Sequence, residues 1–153
     1  MPVQLGGARY PKDSDESWCA VRVLVGTDVQ PIDEVAASIR EFGPRYTHRL
    51  FTDHELESCG ENPITAASGL AARFAAKEAV LKILESPDSV PSWRSIEVRR
   101  GAGGRPELAL DLETASRARR QGITHMSVSL SHGGGVATAT VVAQVSRWRS
   151  ARR

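Results

Sequence analysis

Long apolar runs are missing from this chain. Nothing in its 153 residues approaches the ~18 to 20 consecutive apolar positions that a membrane span needs, and the N-terminal stretch lacks the apolar centre of a signal peptide. A soluble, cytoplasmic protein with no membrane partner is therefore expected. Cysteine is scarce, with only Cys19 and Cys59, no Cys-x-x-Cys and no histidine at zinc spacing. That excludes a disulfide framework and a structural metal site, and leaves both thiols as small buried or half-buried side chains. A charge excess of one sign is missing as well. Twenty basic residues face 18 acidic ones, for a net charge of +2, far from the balance of a dedicated nucleic-acid binder. Part of the basic excess sits in Arg147, Arg149, Arg152 and Arg153, which read as a solvated tail over 147–153.

What is present suits one globular domain. Apolar residues make 41% and charged residues 25%, so neither wholesale disorder nor a fibrous architecture fits, and the length serves one core rather than two. Residues 1–18 carry no periodicity that could bury a face and read as an extension, leaving 19–146 as the domain. From Cys19 the pattern alternates, with Val21, Val23 and Val25 on one face and Arg22, Leu24 and Gly26 on the other. It breaks at Gly26-Thr27-Asp28, which predicts a strand with Asp28 at its exit. Pro31 suits the first turn of a helix carrying Ile32, Val35, Ala36, Ile39 and Phe42, stopped by Gly43-Pro44. A longer helix is predicted from about Ala66 to Glu85. A hairpin follows around Gly101–Pro106, then a short basic helix over 113–121. Alternation of Met126, Val128 and Leu130 with serines, and the β-branched stretch Val136–Val145, predict a last hairpin joined by His132-Gly133-Gly134-Gly135. No internal repeat is found, and the order of elements is that of an α+β domain.

Lysine is the rarest charged residue, 3 against 17 arginines, and two of the three lie in one helix as Lys77 and Lys82. At about 100° per residue, Leu70, Phe74, Leu81 and Leu84 form a stripe with Lys77 in its middle. A charge there either snorkels to water or needs a partner. Glu78 and Lys82, four apart, form a surface ion pair worth roughly 0.3–0.5 kcal/mol on the plainest reading, and Asp28 serves a turn. The alternative links them. A carboxylate from a strand and one from a neighbouring helix can share Mg²⁺, which is typically held by one or two carboxylates plus substrate phosphates, with Lys82 a point charge for the same phosphates.

Gly26-x-Asp28, Phe51-Thr52-x-x-Glu55, Phe74-Ala75-Ala76-Lys77-Glu78-Ala79-x-x-Lys82, Gly104-Arg105-Pro106 and Ser129-Leu130-Ser131-His132 follow one another over roughly residues 22–145. In order and spacing this set resembles the holo-acyl-carrier-protein synthases, the small type of 4′-phosphopantetheinyl transferase. The resemblance implies that fold, an antiparallel sheet with a long packed helix. It also implies transfer of phosphopantetheine from coenzyme A to a serine of an acyl carrier protein or a carrier domain of a synthase. By matching positions Asp28 and Glu78 would bind Mg²⁺, and Lys82 would hold phosphate. Arg73, Gly104, Pro106 and His132 would line the coenzyme A site, partly across a subunit boundary of a homotrimer. Glu78, directly or through a metal-bound water, is the candidate base, so Asp28, Glu78 and Lys82 are the expected catalytic group.

Two rivals remain. A histidine before three glycines resembles the oxyanion loop of some esterases, but the chain has no Gly-x-Ser-x-Gly elbow, so a hydrolase is disfavoured against a plain turn histidine. A coenzyme A-binding or assembly module of the same fold without transferase activity would have no need of both carboxylates and Lys82. The first helix departs from the resembled pattern by carrying Asp33, Glu34 and Glu41 where some bacterial members present basic residues. This predicts a preference for a less acidic carrier, such as a domain of a large fatty-acid or polyketide synthase.

Overall fold

The computed structural model describes residues 21–60, 62–84 and 90–146; the expected extension 1–18, Cys19 and the tail 147–153 lie outside them. Strand β1 (Val21–Pro31) leads into helices α1 (Ile32–Phe42), α2 (Pro44–Leu50), α3 (Asp53–Cys59) and the long α4 (Pro63–Ile83). A hairpin of β2 (Ile96–Arg100) and β3 (Pro106–Leu110) follows, then α5 (Leu112–Arg120) and a second hairpin of β4 (Ile123–Gly133) and β5 (Val136–Ser146). β5 is the centre of an antiparallel three-stranded sheet in the order β1-β5-β4, while β2 and β3 form a separate pair. The α+β class expected from the sequence is the observed one.

α4 lies across the sheet because both surfaces are built from small residues. On the helix Ala71, Ala75, Ala76 and Ala79 are fully buried, and on β5 Ala137, Ala139 and Ala143 face them beside Val141 and Val145. β5 alternates strictly, its odd-numbered positions buried and its even-numbered ones turned outward, as one covered face requires. α4 is buried nearly all round, so its interior comprises alanines as well as the predicted leucine stripe. Of that stripe Phe74 and Leu81 are only half-buried, while Lys77 is completely enclosed.

The close approach depends on Gly26. A Cβ there would stand 2.0 Å from the carbonyl oxygen of Ala79, so only glycine lets β1 come this near to the helix. The same packing decides which face of β1 is covered. Leu24 and Gly26 turn toward α4, and the valine face is left open, with Val23, Val25 and Val29 each more than half exposed.

The structure corrects several expectations. Asp28 does not end its strand: pairing with β5 continues through Asp28–Ala139 to Pro31–Val136, so the Gly26-Thr27-Asp28 segment, turn-like in isolation, is held straight by its ladder. His132 and Gly133 belong to β4, and the turn is Gly134-Gly135 alone, both with positive φ, as a two-residue hairpin loop demands. α4 begins at Pro63, earlier than expected. Helices α2 and α3 were not expected at all. Gly43-Pro44 does stop α1 at Phe42, and Pro44 in addition occupies the first turn of α2, while Thr52 with Glu55 forms a reciprocal capping box that starts α3.

Candidate active site

Side chains of two elements meet at the open end of the α4–β1 contact. Asp28 points to the α4 side of β1, on the same face as Gly26, and α4 brings Glu78 and Lys82 to it. The Lys82 ammonium donates to Asp28 Oδ1 at 2.8 Å and to the Thr27 carbonyl at 2.7 Å. Gln30 Nε2 donates to the other carboxylate oxygen at 2.7 Å, so the Asp28 side chain is held from two sides. It is 14% exposed and Lys82 50%, which puts the cluster at a solvent-facing edge of the core. The plain i, i+4 reading of Glu78 and Lys82 therefore gives way to a pair between Lys82 and Asp28.

Glu78 has its pKa raised, first by burial and then by the negative charge of Asp28, with Lys82 pulling in the opposite direction. Two carboxylates that feel one another beside a single ammonium make a site short of positive charge. Among the described residues no group of three or more His, Cys, Asp or Glu could cage a metal. A pair of hard oxygen ligands open to solvent is the donor set that suits Mg²⁺ bound jointly by protein and phosphates, so Asp28 and Glu78 fit the ion that the resemblance implies.

The other expected site residues lie elsewhere in the chain. Arg73, five residues before Glu78, is turned about 140° away around α4. It is buried against α3, donating to Ser58 Oγ at 2.8 Å and to the Gly69 carbonyl at 3.1 Å, and its Nε finds no partner among the described residues. His132 is exposed on β4, level with Ala137 of β5 and Gln30 of β1. Two strand spacings across and two residues along put it roughly 12 Å from Asp28 between Cα atoms. Gly104, with φ of 77°, and Pro106 sit at the tip of the β2–β3 hairpin. One chain thus assembles the acidic pair with Lys82, and leaves Arg73 and His132 apart from it.

Phe51-Thr52-x-x-Glu55 proves to be an internal support. Glu55 is completely buried and bonded to Lys77, and Phe51 lies under the same ammonium, 5.8 Å from ring centre to Nζ. The sequence reading left Lys77 between a snorkelling stem and a paired charge; it is the latter. Burial pushes its pKa down and Glu55 draws it back up. Cys59 is half-buried beside Arg73, its thiol pushed up by burial.

Comparison with known proteins identifies the family. The family model of the 4′-phosphopantetheinyl transferase superfamily matches residues 24–141. A holo-[acyl-carrier-protein] synthase of Frankia casuarinae is 43% identical over 122 residues, covering 80% of this chain and 97% of the relative. Among solved structures, that of Helicobacter pylori holo-[acyl-carrier-protein] synthase in complex with coenzyme A aligns with a TM-score of 0.68 at 26% identity, over 78% of this chain and 99% of the other. A synthase–coenzyme A complex from Chronobacterium ammoniagenes aligns with a TM-score of 0.72 at 27% identity, over 82% and 99%. The chain belongs to the 4′-phosphopantetheinyl transferase superfamily, and within it to the holo-acyl-carrier-protein synthases.

Proposed function

We propose that the chain transfers 4′-phosphopantetheine from coenzyme A to a serine of an apo acyl carrier protein or carrier domain. The observation that carries this is the convergence of Asp28, Glu78 and Lys82 at the place where Gly26 admits α4 to β1. The serine oxygen bonds to the β-phosphorus of coenzyme A and the bond to the α-phosphate breaks, releasing adenosine 3′,5′-bisphosphate. The serine proton passes to Glu78, directly or through a water, the carboxylate that α4 presents beside Asp28. Asp28 and Glu78 would hold Mg²⁺, which would supply neutralisation of the pyrophosphate charge. Lys82 leaves Asp28 for a phosphate oxygen. Arg73, Gly104, Pro106 and His132 line the coenzyme A cleft, with His132 and Arg73 contributed by a neighbouring subunit. Such a reaction belongs where coenzyme A is, in the cytoplasm.

The open valine face supports a homotrimer. Val25 stands directly opposite Val142, and both are exposed, as are Val23, Val29 and Val136. Full burial of a valine contributes roughly 1.5–3 kcal/mol, so this face favours self-association. Carrier docking falls to α1 and the hollow beside it, about 850 Å³ lined by Ile32, Ala36, Ile39, Ala66 and Leu70, with Asp33 and Arg40 supplying charge. The acidic residues on α1 have a local cause as well, since Asp33 and Glu34 occupy its first turn and Arg40 its last, matching the helix dipole. A carrier less acidic than usual, offering apolar side chains, suits this surface.

Incubation with coenzyme A, Mg²⁺ and apo carriers, read by intact mass, tests the reading. Phosphopantetheine addition is expected, and its absence with several carriers alongside measurable coenzyme A binding would favour the non-transferring module.

A further inference from the structure

The most enclosed charges among the described residues take no part in the chemistry above. Lys77 and Glu55 are both 0% exposed and paired at 2.8 Å. Burying such a pair is a poor way to gain stability, because desolvation offsets most of the attraction and an apolar pair of similar volume would serve as well. What distinguishes this pair is where its remaining hydrogen bonds go. Lys77 Nζ also donates to the carbonyls of Trp93, at 2.9 Å, and of Ile96. Glu55 Oε1 accepts from the Val98 N–H at 3.0 Å, and Oε2 from the Thr52 N–H at 2.9 Å. Three backbone groups of the segment 93–98 are thus bonded to side chains of α3 and α4.

Among the described residues β2 has a strand neighbour only in β3, and no ladder joins their sheet to the three-stranded one. Backbone bonding that would normally fix a strand in place is supplied here by two side chains. One of them, Lys77, immediately precedes Glu78 in α4, and the strand they hold leads straight to the hairpin tip with Gly104 and Pro106.

We propose that Lys77 and Glu55 are positioning residues that set the β2–β3 hairpin against α4, and with it the distance between the hairpin side of the coenzyme A cleft and the Asp28–Glu78 pair. The placement of that cleft rests on the function proposed above; the tether itself does not.

The test is the double variant Glu55→Gln/Lys77→Met, which removes both charges together and retains an acceptor for the Val98 N–H. Coenzyme A binding by calorimetry is compared, well below the melting temperature, with wild type and with Val141→Ala, which weakens the core at β5 away from the tether. At least a tenfold rise in Kd is expected for the double variant and less than a threefold change for Val141→Ala. A double variant within threefold of wild type, or a Val141→Ala loss of the same size, overturns the proposal. Where the double variant does not fold, Glu55→Gln alone is used, with at least a threefold rise expected and no rise overturning it. Amide hydrogen exchange reads the tether without any ligand. Residues 96–106 should lose protection ahead of β5 in the variant, and parallel loss in both overturns the proposal. Failure of the wild-type protein to bind coenzyme A would count against the proposed function and leave the exchange result to decide the tether.

Discussion

Gly26→Ala adds one carbon atom where β1 and α4 have no room for it. The new Cβ would lie 2.0 Å from the Ala79 carbonyl oxygen and 3.1 Å from Ile83 Cγ1, against an ordinary contact of 3.4 Å or more. The obstacle is helix backbone at a fully buried residue, which cannot swing aside as the end of a side chain could, so strand and helix must part by roughly 1 Å at that point. Overpacking of this kind costs about 1–3 kcal/mol. Relief of glycine's unfolded-state entropy offsets about 0.4–1 kcal/mol of it. A net loss of about 1 kcal/mol lowers Tm by roughly 2–4 °C in a chain of this length. Asp28 lies two residues along the same strand, and Glu78 precedes Ala79, so the displacement falls between the groups that must act together. A misplacement of about 1 Å can lower turnover roughly 10²-fold. Scanning calorimetry and steady-state kcat/KM at a temperature where the variant is fully folded measure the two effects separately. A Tm within 1 °C of wild type together with kcat/KM within threefold would refute the reasoning. A lowered Tm with intact turnover would confine the glycine to packing.

Asp28→Asn and Glu78→Gln keep shape and remove charge, and each should lower Mg²⁺-dependent transfer by roughly 10²-fold or more with little change in the circular dichroism melt; near-wild-type turnover in either would remove the metal assignment. Lys82→Ala should raise the KM for coenzyme A by the equivalent of about 1–3 kcal/mol, as loss of a charge-assisted phosphate contact does; an unchanged KM would leave Lys82 as the partner of Asp28 only. For Cys59 the folded pKa is raised above the ordinary 9.0, so the folded chain binds the thiol proton more tightly than the unfolded one. That contribution to stability is complete below pH 9.0 and lost as pH climbs through the raised value. Denaturant melts of Cys59→Ala should therefore show a shallower alkaline decline than wild type, and mapped alkylation of Cys59 at pH 8 should lag behind a free thiol; equal slopes and equal rates would contradict it.

Much of the frame was legible because it rests on local signals. Period-2 alternation in β4 and β5, the Gly-rich turns and the helix stop at Gly43 all act through a few neighbouring residues. Helices α2 and α3 escaped because each is seven residues long, too short for periodicity, although Pro44 at a first turn and Thr52-x-x-Glu55 as a capping box were both visible. The end of β1 escaped for a different reason. Nothing near Gly26-Thr27-Asp28 reports that β5 extends far enough to pair with it, since that information is more than a hundred residues away. Of the site, the Asp28, Glu78 and Lys82 group was expected from the resemblance, and the structure bonds Lys82 to Asp28 with Glu78 one helical turn before Lys82. What no spacing could supply was the partner of Lys77. Leu70, Phe74, Leu81 and Leu84 show that position 77 faces inward, but Glu55 comes from another helix, 22 residues upstream.

The positions of Arg73 and His132 bear on the assembly through simple geometry. The Asp28 row of the sheet runs through Ala139 to Leu130, and the His132 row through Ala137 to Gln30, which keeps His132 two residues along and two strands across from Asp28. Arg73 faces α3 from the far side of α4. With His132 and Arg73 contributed by a neighbouring copy, as proposed above, the valine face of β1 and β5 would bring the copies together. A ring of such heterologous contacts makes each site a product of two subunits. Asp28→Ala and His132→Ala chains, each inactive alone, should then recover activity when unfolded, mixed in equal amounts and refolded. Random assembly gives intact residues on both sides at roughly a quarter of the interfaces, so recovery should approach that fraction of wild type. Activity that stays at the level of the separate variants would place both residues in one chain's site.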